Sequence, residues 1–162
     1  MKNKIRLAVI AFAVTFVITF LSAYCFEADT YISDEYQAYC EEIGDMYCVC
    51  PELLMAMIET ESSGNPNATN GTCKGLMQVS EKWHMDRMKR LGGKDIYDPY
   101  GNILVATDYL MELAEKYEDL GLVLDLYNGN SKAMQNAEHG KLSEYASKIL
   151  YRAEMLERIH GK

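Results

Sequence analysis

Residues 58–78 read IETESSGNPNATNGTCKGLMQ, and this stretch marks where an apolar helix ends and a polar loop begins. Before it, Pro51 suits the first turn of a helix, and the residues that follow are strongly apolar. After Ser62 the chain is rich in Gly and Asn, which favour turns and leave room for a short β-hairpin. The sequence therefore predicts a helix over Pro51–Ser62, closed by Gly64 as a left-handed cap.

Glu61 lies at the end of one apolar face of this predicted helix. At helical spacing it shares that face with Leu54, Met57 and Ile58, so its carboxyl group should be partly removed from water. Burial disfavours the charged form, and the C-terminal end of a helix is the negative end of its dipole. Both effects raise the pKa of Glu61 toward the range of a general acid at neutral pH. A solvated glutamate at a helix end is the alternative interpretation, and Glu59 is expected to point elsewhere and to be dispensable.

The rest of the chain is also predicted to be mainly helical. Ser33 can cap a first helix, and Asp98 followed by Pro99 opens a long one. Residues 122–127 form a short apolar segment before a turn, and residues 142–159 form a last helix. The apolar face of that last helix holds Tyr145, Ile149, Ala153 and Leu156. No segment alternates well enough to predict a long strand.

The N-terminal region has the pattern of an export signal or a membrane anchor. Basic residues occur only at its start, and residues 7–26 carry no charge. A basic start followed by an apolar run is typical of a secretion signal, and this run also matches a membrane-spanning helix of about 20 residues. We therefore expect residues 1–28 to be a signal peptide or an anchor. Residues 29–162 would then form one exported domain on the cell-wall side of the membrane.

The charge of the chain argues against nucleic acid as a partner. The sequence has 24 acidic and 16 basic residues, and three of the basic ones precede the uncharged run. The expected exported domain is therefore strongly acidic and would repel a phosphate backbone.

The cysteines after the uncharged run are candidates for disulfides. Cys40, Cys48, Cys50 and Cys73 make an even number, which permits two bridges in an exported domain. We expect them to be at least partly paired, with a bridge from Cys50 to Cys73 holding the polar loop against the Glu61 helix. No metal is expected, because the close pair is C-x-C and the three histidines lack ligand spacing.

Several short motifs follow one another in order along the chain. They are Glu61-Ser62, Asn-Pro-x-Ala at residues 65–68, Gly-Leu-Met-Gln at residues 75–78, Asn102-Ile103 followed by Tyr109-Leu110, and Tyr127-Asn128-Gly129. This ordered set resembles the soluble lytic transglycosylase family. The resemblance implies a mainly α, lysozyme-like domain with its motif-bearing core at about residues 48–130. Asn70 stands where many members have Ser, and Leu126 where Ala is usual.

The resemblance also implies a function, a peptidoglycan lytic transglycosylase that uses no cofactor. Glu61 would be the catalytic acid and base at the β-1,4 bond between N-acetylmuramic acid and N-acetylglucosamine, and a 1,6-anhydro ring would form. The implied substrate-binding residues are Ser62, Asn70, Met77, Gln78 and Tyr127. The partners would be peptidoglycan strands and, through the N-terminal segment, the membrane. A secretion or conjugation apparatus is a further candidate partner.

Two other functions fit the same fold. A hydrolytic lysozyme would use water and a second carboxylate, for which Asp86, Asp95 and Asp98 are candidates. A non-catalytic protein that binds or assembles the cell wall would keep the fold without the chemistry. The products released from purified peptidoglycan would distinguish the three functions.

Overall fold

The computed structural model describes residues 30–162. The basic start and the uncharged run lie outside the described residues, so the signal or anchor at residues 1–28 stays a prediction. Within the described part of the chain, no helix is both long and apolar enough to cross a bilayer.

The described chain is mainly helical, as the sequence predicts. Its helices are α1 (Asp34–Tyr47), α2 (Pro51–Ser62), α3 (Glu81–Arg90), α4 (Pro99–Ala114), α5 (Leu120–Tyr127), α6 (Ala133–Glu138) and α7 (Glu144–Ile159). Between α2 and α3 lie three short strands, β1 (Thr69–Asn70), β2 (Cys73–Lys74) and β3 (Val79–Ser80). The strands form an antiparallel sheet in the order β1-β2-β3, with Cys73 paired to Asn70 on one side and to Ser80 on the other. The short hairpin that the turn residues favour is thus present, and a third strand extends it.

Helix α2 runs through the core of the domain. Eight of its 12 residues are buried, and Met55, Ala56, Met57 and Ile58 are almost wholly inaccessible to water. Helices α1 and α7 both pack against it. A helix that is apolar over most of its circumference is typical of a protein interior. Helix α2 therefore begins in the core, and its last turn places Glu61 near the surface.

The ends of several helices follow the signals in the sequence. Ser33 and Asp98 cap α1 and α4 with side chains that accept backbone hydrogen bonds, and Pro51 opens α2. At the end of α2 the backbone enters the left-handed region at Ser63, with φ of 54°, and stays there at Gly64, with φ of 75°. The left-handed cap therefore begins one residue earlier than predicted.

Two short helices are not apparent from the sequence. Helix α3 buries only Met88, and the six-residue helix α6 buries only Ala133. Neither helix has an apolar stripe wide enough to give a helical period. The positions of these two helices depend on their contacts with neighbouring elements. Such contacts cannot be predicted from a local sequence pattern.

A buried amide fixes the loop that carries the Gly-Leu-Met-Gln motif. Asn102 of α4 is fully buried, and its Nδ2 donates to the carbonyl oxygens of Lys74 at 2.9 Å and Ile96 at 2.7 Å. Its Oδ1 accepts from the backbone N–H of Met77 at 2.8 Å. Gly75 has φ of 79°, and a Cβ there would lie 2.3 Å from Asn102 Nδ2. Gly75 is therefore required both by its backbone angle and by the closeness of Asn102.

The predicted bridge between Cys50 and Cys73 is wrong in this structure, where the four described cysteines are free. Cys50 precedes α2, whereas Cys73 lies on β2 beside the other end of that helix. A helix of 12 residues is about 18 Å long, and a disulfide needs Cα atoms within about 7 Å of each other. Cys40 is fully buried in the core, and burial raises the pKa of its thiol to about 12.

Candidate active site

An open cleft of about 480 Å³ lies at the C-terminal end of α2. Five of the six predicted site residues line it, namely Glu61, Ser62, Asn70, Gln78 and Tyr127. They come from α2, from the sheet, from the loop before β3 and from α5. The fold therefore brings together residues that are far apart in the sequence.

Glu61 is half-buried in this cleft. Burial raises the pKa of its carboxyl group, while a hydrogen bond from Tyr145 and the nearby charge of Lys148 act in the opposite direction. The Tyr145 hydroxyl donates this bond to Oε1 of Glu61. Burial has the larger effect, so the carboxyl group keeps its proton to higher pH than a solvated glutamate does.

The Tyr127 hydroxyl bonds to the Gly-Leu-Met-Gln loop and not to Glu61. Its hydroxyl donates to the carbonyl oxygen of Met77 at 2.8 Å, and its ring lines the cleft. The tyrosine that holds Glu61 is Tyr145 of α7, 84 positions along the chain. The sequence assigns Tyr145 to the apolar face of the last helix, and no short motif marks its contact with the acid.

Met77 does not line the cleft, contrary to its predicted role. Its side chain is fully buried in the core, and only its backbone groups take part in the support of the loop. The next residue, Gln78, has φ of 46°, and its Nε2 donates to the carbonyl oxygen of Gly75 at 2.9 Å. This turn directs Gln78 into the cleft and Met77 into the core.

Ser62 and Asn70 are positioned differently at the edge of the cleft. The Ser62 hydroxyl donates back to the carbonyl oxygen of Ile58 at 3.2 Å, one helical turn earlier. Asn70 is exposed on β1, where its side chain is free to meet a ligand. Of the two, Asn70 is therefore the better placed to bind a ligand.

Glu59 points away from the cleft, as expected, but it is not solvated. Only 5% of it is exposed, and Arg152 of α7 contacts both its carboxylate oxygens, at 2.6 and 3.0 Å. Thr30 donates to the same carboxylate at 2.6 Å. Glu59 therefore joins α2 to α7 and contributes to stability, and its dispensability for activity stays a prediction.

None of the three aspartates suggested as a second carboxylate lines the cleft. Asp98 caps α4, Asp95 accepts from the backbone N–H of Tyr97, and Asp86 is exposed beside Lys89. Among the described residues that line the cleft, Glu61 is the one carboxylic acid. A group able to hold a metal ion lies elsewhere in the described chain, beside the start of α2.

A mainly helical domain that places a half-buried carboxylic acid of raised pKa in an open cleft has the features of the lysozyme-like class. The sequence model of the transglycosylase SLT domain matches residues 38–149, and the chain belongs to this family. The matched region contains Glu61, Tyr145 and the Gly-Leu-Met-Gln loop at residues 75–78, which is called the cleft loop below.

Two relatives are similar to part of this chain. A transglycosylase of Enterobacteria phage PRD1 is 32% identical over 111 residues, which are 68% of this chain and 40% of the phage protein. The membrane-bound lytic murein transglycosylase E of Buchnera aphidicola subsp. Acyrthosiphon pisum (strain APS) is 34% identical over 79 residues, 44% of this chain and 36% of the relative. The aligned region thus spans well under half of each relative.

Proposed function

We propose that the protein is a peptidoglycan lytic transglycosylase with Glu61 as both catalytic acid and catalytic base. The observation that carries this proposal is the solitary position of Glu61 among the described residues of the cleft. Most glycosidases that use water or a covalent intermediate have two carboxyl groups, about 5–9.5 Å apart across the scissile bond. One group that gives and then regains a proton needs no partner.

In the first step, Glu61 donates its proton to the glycosidic oxygen. The bond between this oxygen and the anomeric carbon of N-acetylmuramic acid breaks, and N-acetylglucosamine leaves with the proton. The acyl amide of the muramyl sugar assists at the anomeric carbon. Because burial raises the pKa of Glu61, its carboxyl group holds this proton to higher pH than a solvated glutamate does.

In the second step, the Glu61 carboxylate takes the proton of the 6-hydroxyl of the same muramyl sugar. The 6-oxygen then bonds to the anomeric carbon, which closes a 1,6-anhydro ring and returns Glu61 to its acid form. No water is consumed. The Tyr145 hydroxyl stabilises the carboxylate between the two steps, since it donates to Oε1, and Oε2 would exchange the proton with the substrate.

The remaining cleft residues are proposed to bind the glycan. Asn70 and Gln78 offer amide groups to sugar hydroxyls and acetamido groups, and the Tyr127 ring offers an apolar face. Ser62 lies next to the acid at the end of α2. These roles are supported by the common position of the four residues in the cleft, and the proposed substrate agrees with the names of the two similar transglycosylases.

The cellular setting follows from the same proposal. Peptidoglycan lies outside the cytoplasmic membrane, so the domain has to be exported, and residues 1–28 are the proposed signal or anchor. A secretion or conjugation apparatus that must pass the wall is a suitable partner for such an enzyme.

The products from purified peptidoglycan test the proposal. Mass spectrometry should find fragments that end in 1,6-anhydromuramic acid, each lighter by one water than the corresponding lysozyme product. Fragments with reducing ends would show a hydrolase instead. Binding to the sacculus without any fragment would show a wall-binding protein and would contradict the assignment of Glu61.

A further inference from the structure

A second cluster of reactive side chains lies at the opposite end of α2 from Glu61. Cys50 precedes this helix, Glu52 lies in its first turn, and Glu157 comes from the last part of α7. One ligand atom from each, a sulfur and two carboxylate oxygens, lies within 4.8 Å of the others. The Glu52 side chain is only 1% exposed. The cluster is therefore built into the domain and shares no residue with the cleft.

The sulfur of Cys50 is in close contact with both carboxylates. Sγ lies 3.0 Å from Oε2 of Glu52 and 2.9 Å from Oε1 of Glu157. A thiol has a single proton and can donate it to only one acceptor. A carboxylate oxygen therefore faces sulfur lone pairs at short range, an arrangement that a cation in place of the proton would relieve.

The outer oxygen of Glu52 is held by two other groups. His160 Nδ1 and Lys162 Nζ each lie 2.8 Å from Oε1 of Glu52. These contacts fix the carboxylate so that its inner oxygen, Oε2, faces Cys50. Groups that orient a metal ligand from its far side are a regular part of metal sites in proteins.

The charges and the donor types of the cluster suit zinc. A thiolate and two carboxylates carry three negative charges, which a divalent cation together with Lys162 would balance. Sulfur is a soft ligand that magnesium and calcium do not favour, whereas zinc accepts thiolate and carboxylate in one tetrahedral site.

We propose that Cys50, Glu52 and Glu157 bind a zinc ion, with water as the fourth ligand. The Zn–S bond replaces the S–H bond, and the thiol proton passes to solvent. His160 orients Glu52 and is not itself a ligand. The ion would join the start of α2 to the last part of α7, which revises the expectation of no metal from the sequence.

Cobalt(II) and zinc titrations of the purified, reduced full chain test this site. Cobalt(II) should give the near-ultraviolet charge-transfer band of a metal–thiolate bond, and one equivalent of zinc should remove it. Cys50→Ser should abolish the band. The matched control is Cys48→Ser, because Cys48 is exposed and lies outside the cluster, and it should leave the band unchanged.

Calorimetry of zinc binding gives a second measurement that does not depend on sulfur. Glu157→Gln should raise the zinc Kd at least tenfold, and His160→Gln should raise it by about 10–100-fold, the usual effect of losing an orienting group. Glu154→Gln, an exposed position on the same helix, should leave the Kd unchanged. Circular dichroism shows whether each variant is folded.

Three results would overturn the zinc site. They are no zinc binding by the folded wild type, binding that survives Cys50→Ser, and equal Kd values for Glu157→Gln and Glu154→Gln. Glu61→Gln should retain the cobalt band, so this test is independent of the proposed glycan cleavage.

Discussion

At the scale of single residues, Glu61 carries the proposed chemistry, and Glu61→Gln is the most direct test of it. Glutamine keeps the size of the side chain but can neither give nor take the proton. Lysis of purified peptidoglycan should fall by about 10²–10⁴-fold or more, since loss of general acid catalysis alone costs that much. The melting temperature should not fall, because an uncharged amide suits this half-buried position at least as well as the carboxyl group that it replaces.

The control for this variant has to be chosen from the structure. Glu59→Gln is unsuitable, because Glu59 is buried and paired with Arg152. Glu118→Gln, at an exposed position beyond α4, should keep full activity. Full activity in folded Glu61→Gln would contradict the proposed mechanism.

The hydroxyl of Tyr145 is expected to set the upper limit of the pH profile. Its hydrogen bond stabilises the Glu61 carboxylate and so lowers the pKa that burial has raised. Tyr145→Phe removes this bond, and the pKa of Glu61 should rise further. Because cleavage needs the protonated acid, the loss of activity at high pH should move to higher pH in the variant. A pH profile of kcat/KM measures this shift.

The same variant should also be slower at its optimum. A hydrogen bond to a charged group contributes about 1.5–3 kcal/mol, which corresponds to roughly 10–100-fold in kcat. Tyr151→Phe on the same helix is the control, since Tyr151 is 66% exposed. A Tyr145→Phe enzyme with the pH limit of the wild type would show that the hydroxyl does not act on Glu61.

The sequence could predict Glu61 but not Tyr145, and the reason is physical. Glu61 lies within a short local pattern, where a helical period and a motif together indicate a buried acid. Tyr145 reaches Glu61 only because α7 packs against α2, and the spacing of residues along α7 predicts merely that its face is apolar. For Met77 the motif led to a wrong prediction. The left-handed backbone at Gln78 directs the Met77 side chain into the core, and the motif does not indicate this direction.

At the scale of secondary-structure elements, the contact between Gly75 and Asn102 determines where the cleft loop lies. Gly75→Ala would place a Cβ 2.3 Å from Asn102 Nδ2 and would strain a residue with φ of 79°. It should reduce both the free energy of unfolding, measured with urea, and the lytic activity.

Gly71 is a control that separates the clash with Asn102 from the cost of a positive φ. Gly71 also has a positive φ, 61°, but a Cβ there would meet nothing within 4 Å. Gly71→Ala should therefore lose only the backbone term, about 1 kcal/mol. An equal loss of stability in the two variants would mean that Asn102 does not constrain the loop.

The ion pair between Glu59 and Arg152 joins α2 to α7 near the cleft. Arg152→Met would leave the Glu59 carboxylate buried without its main partner, which should cost about 3–5 kcal/mol of unfolding free energy. Arg158→Met is the matched control on α7. Its pair with Glu154 is exposed, and its loss should cost at most about 1 kcal/mol. Similar urea midpoints for the two variants would refute the structural role of Arg152.

Elements that the sequence could predict have their own local signals, and those that it could not lack them. Helices α2 and α4 carry caps, prolines and long apolar patterns, whereas α3 and α6 each bury a single residue. The error over the cysteines has another cause. The even number of cysteines suggests disulfide pairs. The length of α2 separates Cys50 from Cys73, however, and a count of cysteines gives no information about distance.

At the scale of the whole molecule, the proposed export of the domain is testable by a fusion. A reporter that is active only in the cytoplasm, joined after Lys162, should stay inactive in the producing cell. Removal of residues 1–28 should make the same fusion active, because the proposed signal or anchor is then gone. Activity of the uncut fusion would show that the domain remains in the cytoplasm.

The buried amide of Asn102 should make the loop at Gln78 more resistant to opening than the hairpin on the other side of the sheet. Its hydrogen bonds to the loop lie inside the core, so they should break only when the whole domain unfolds cooperatively, and Met77 N–H should exchange with solvent as slowly as the core helices do. The facing hairpin is exposed at Thr69, Asn70 and Gly71 and can open locally. If the protein cleaves glycan strands as proposed, adjustment to differently substituted strands is expected at the hairpin, while the loop at Gln78 should keep its shape.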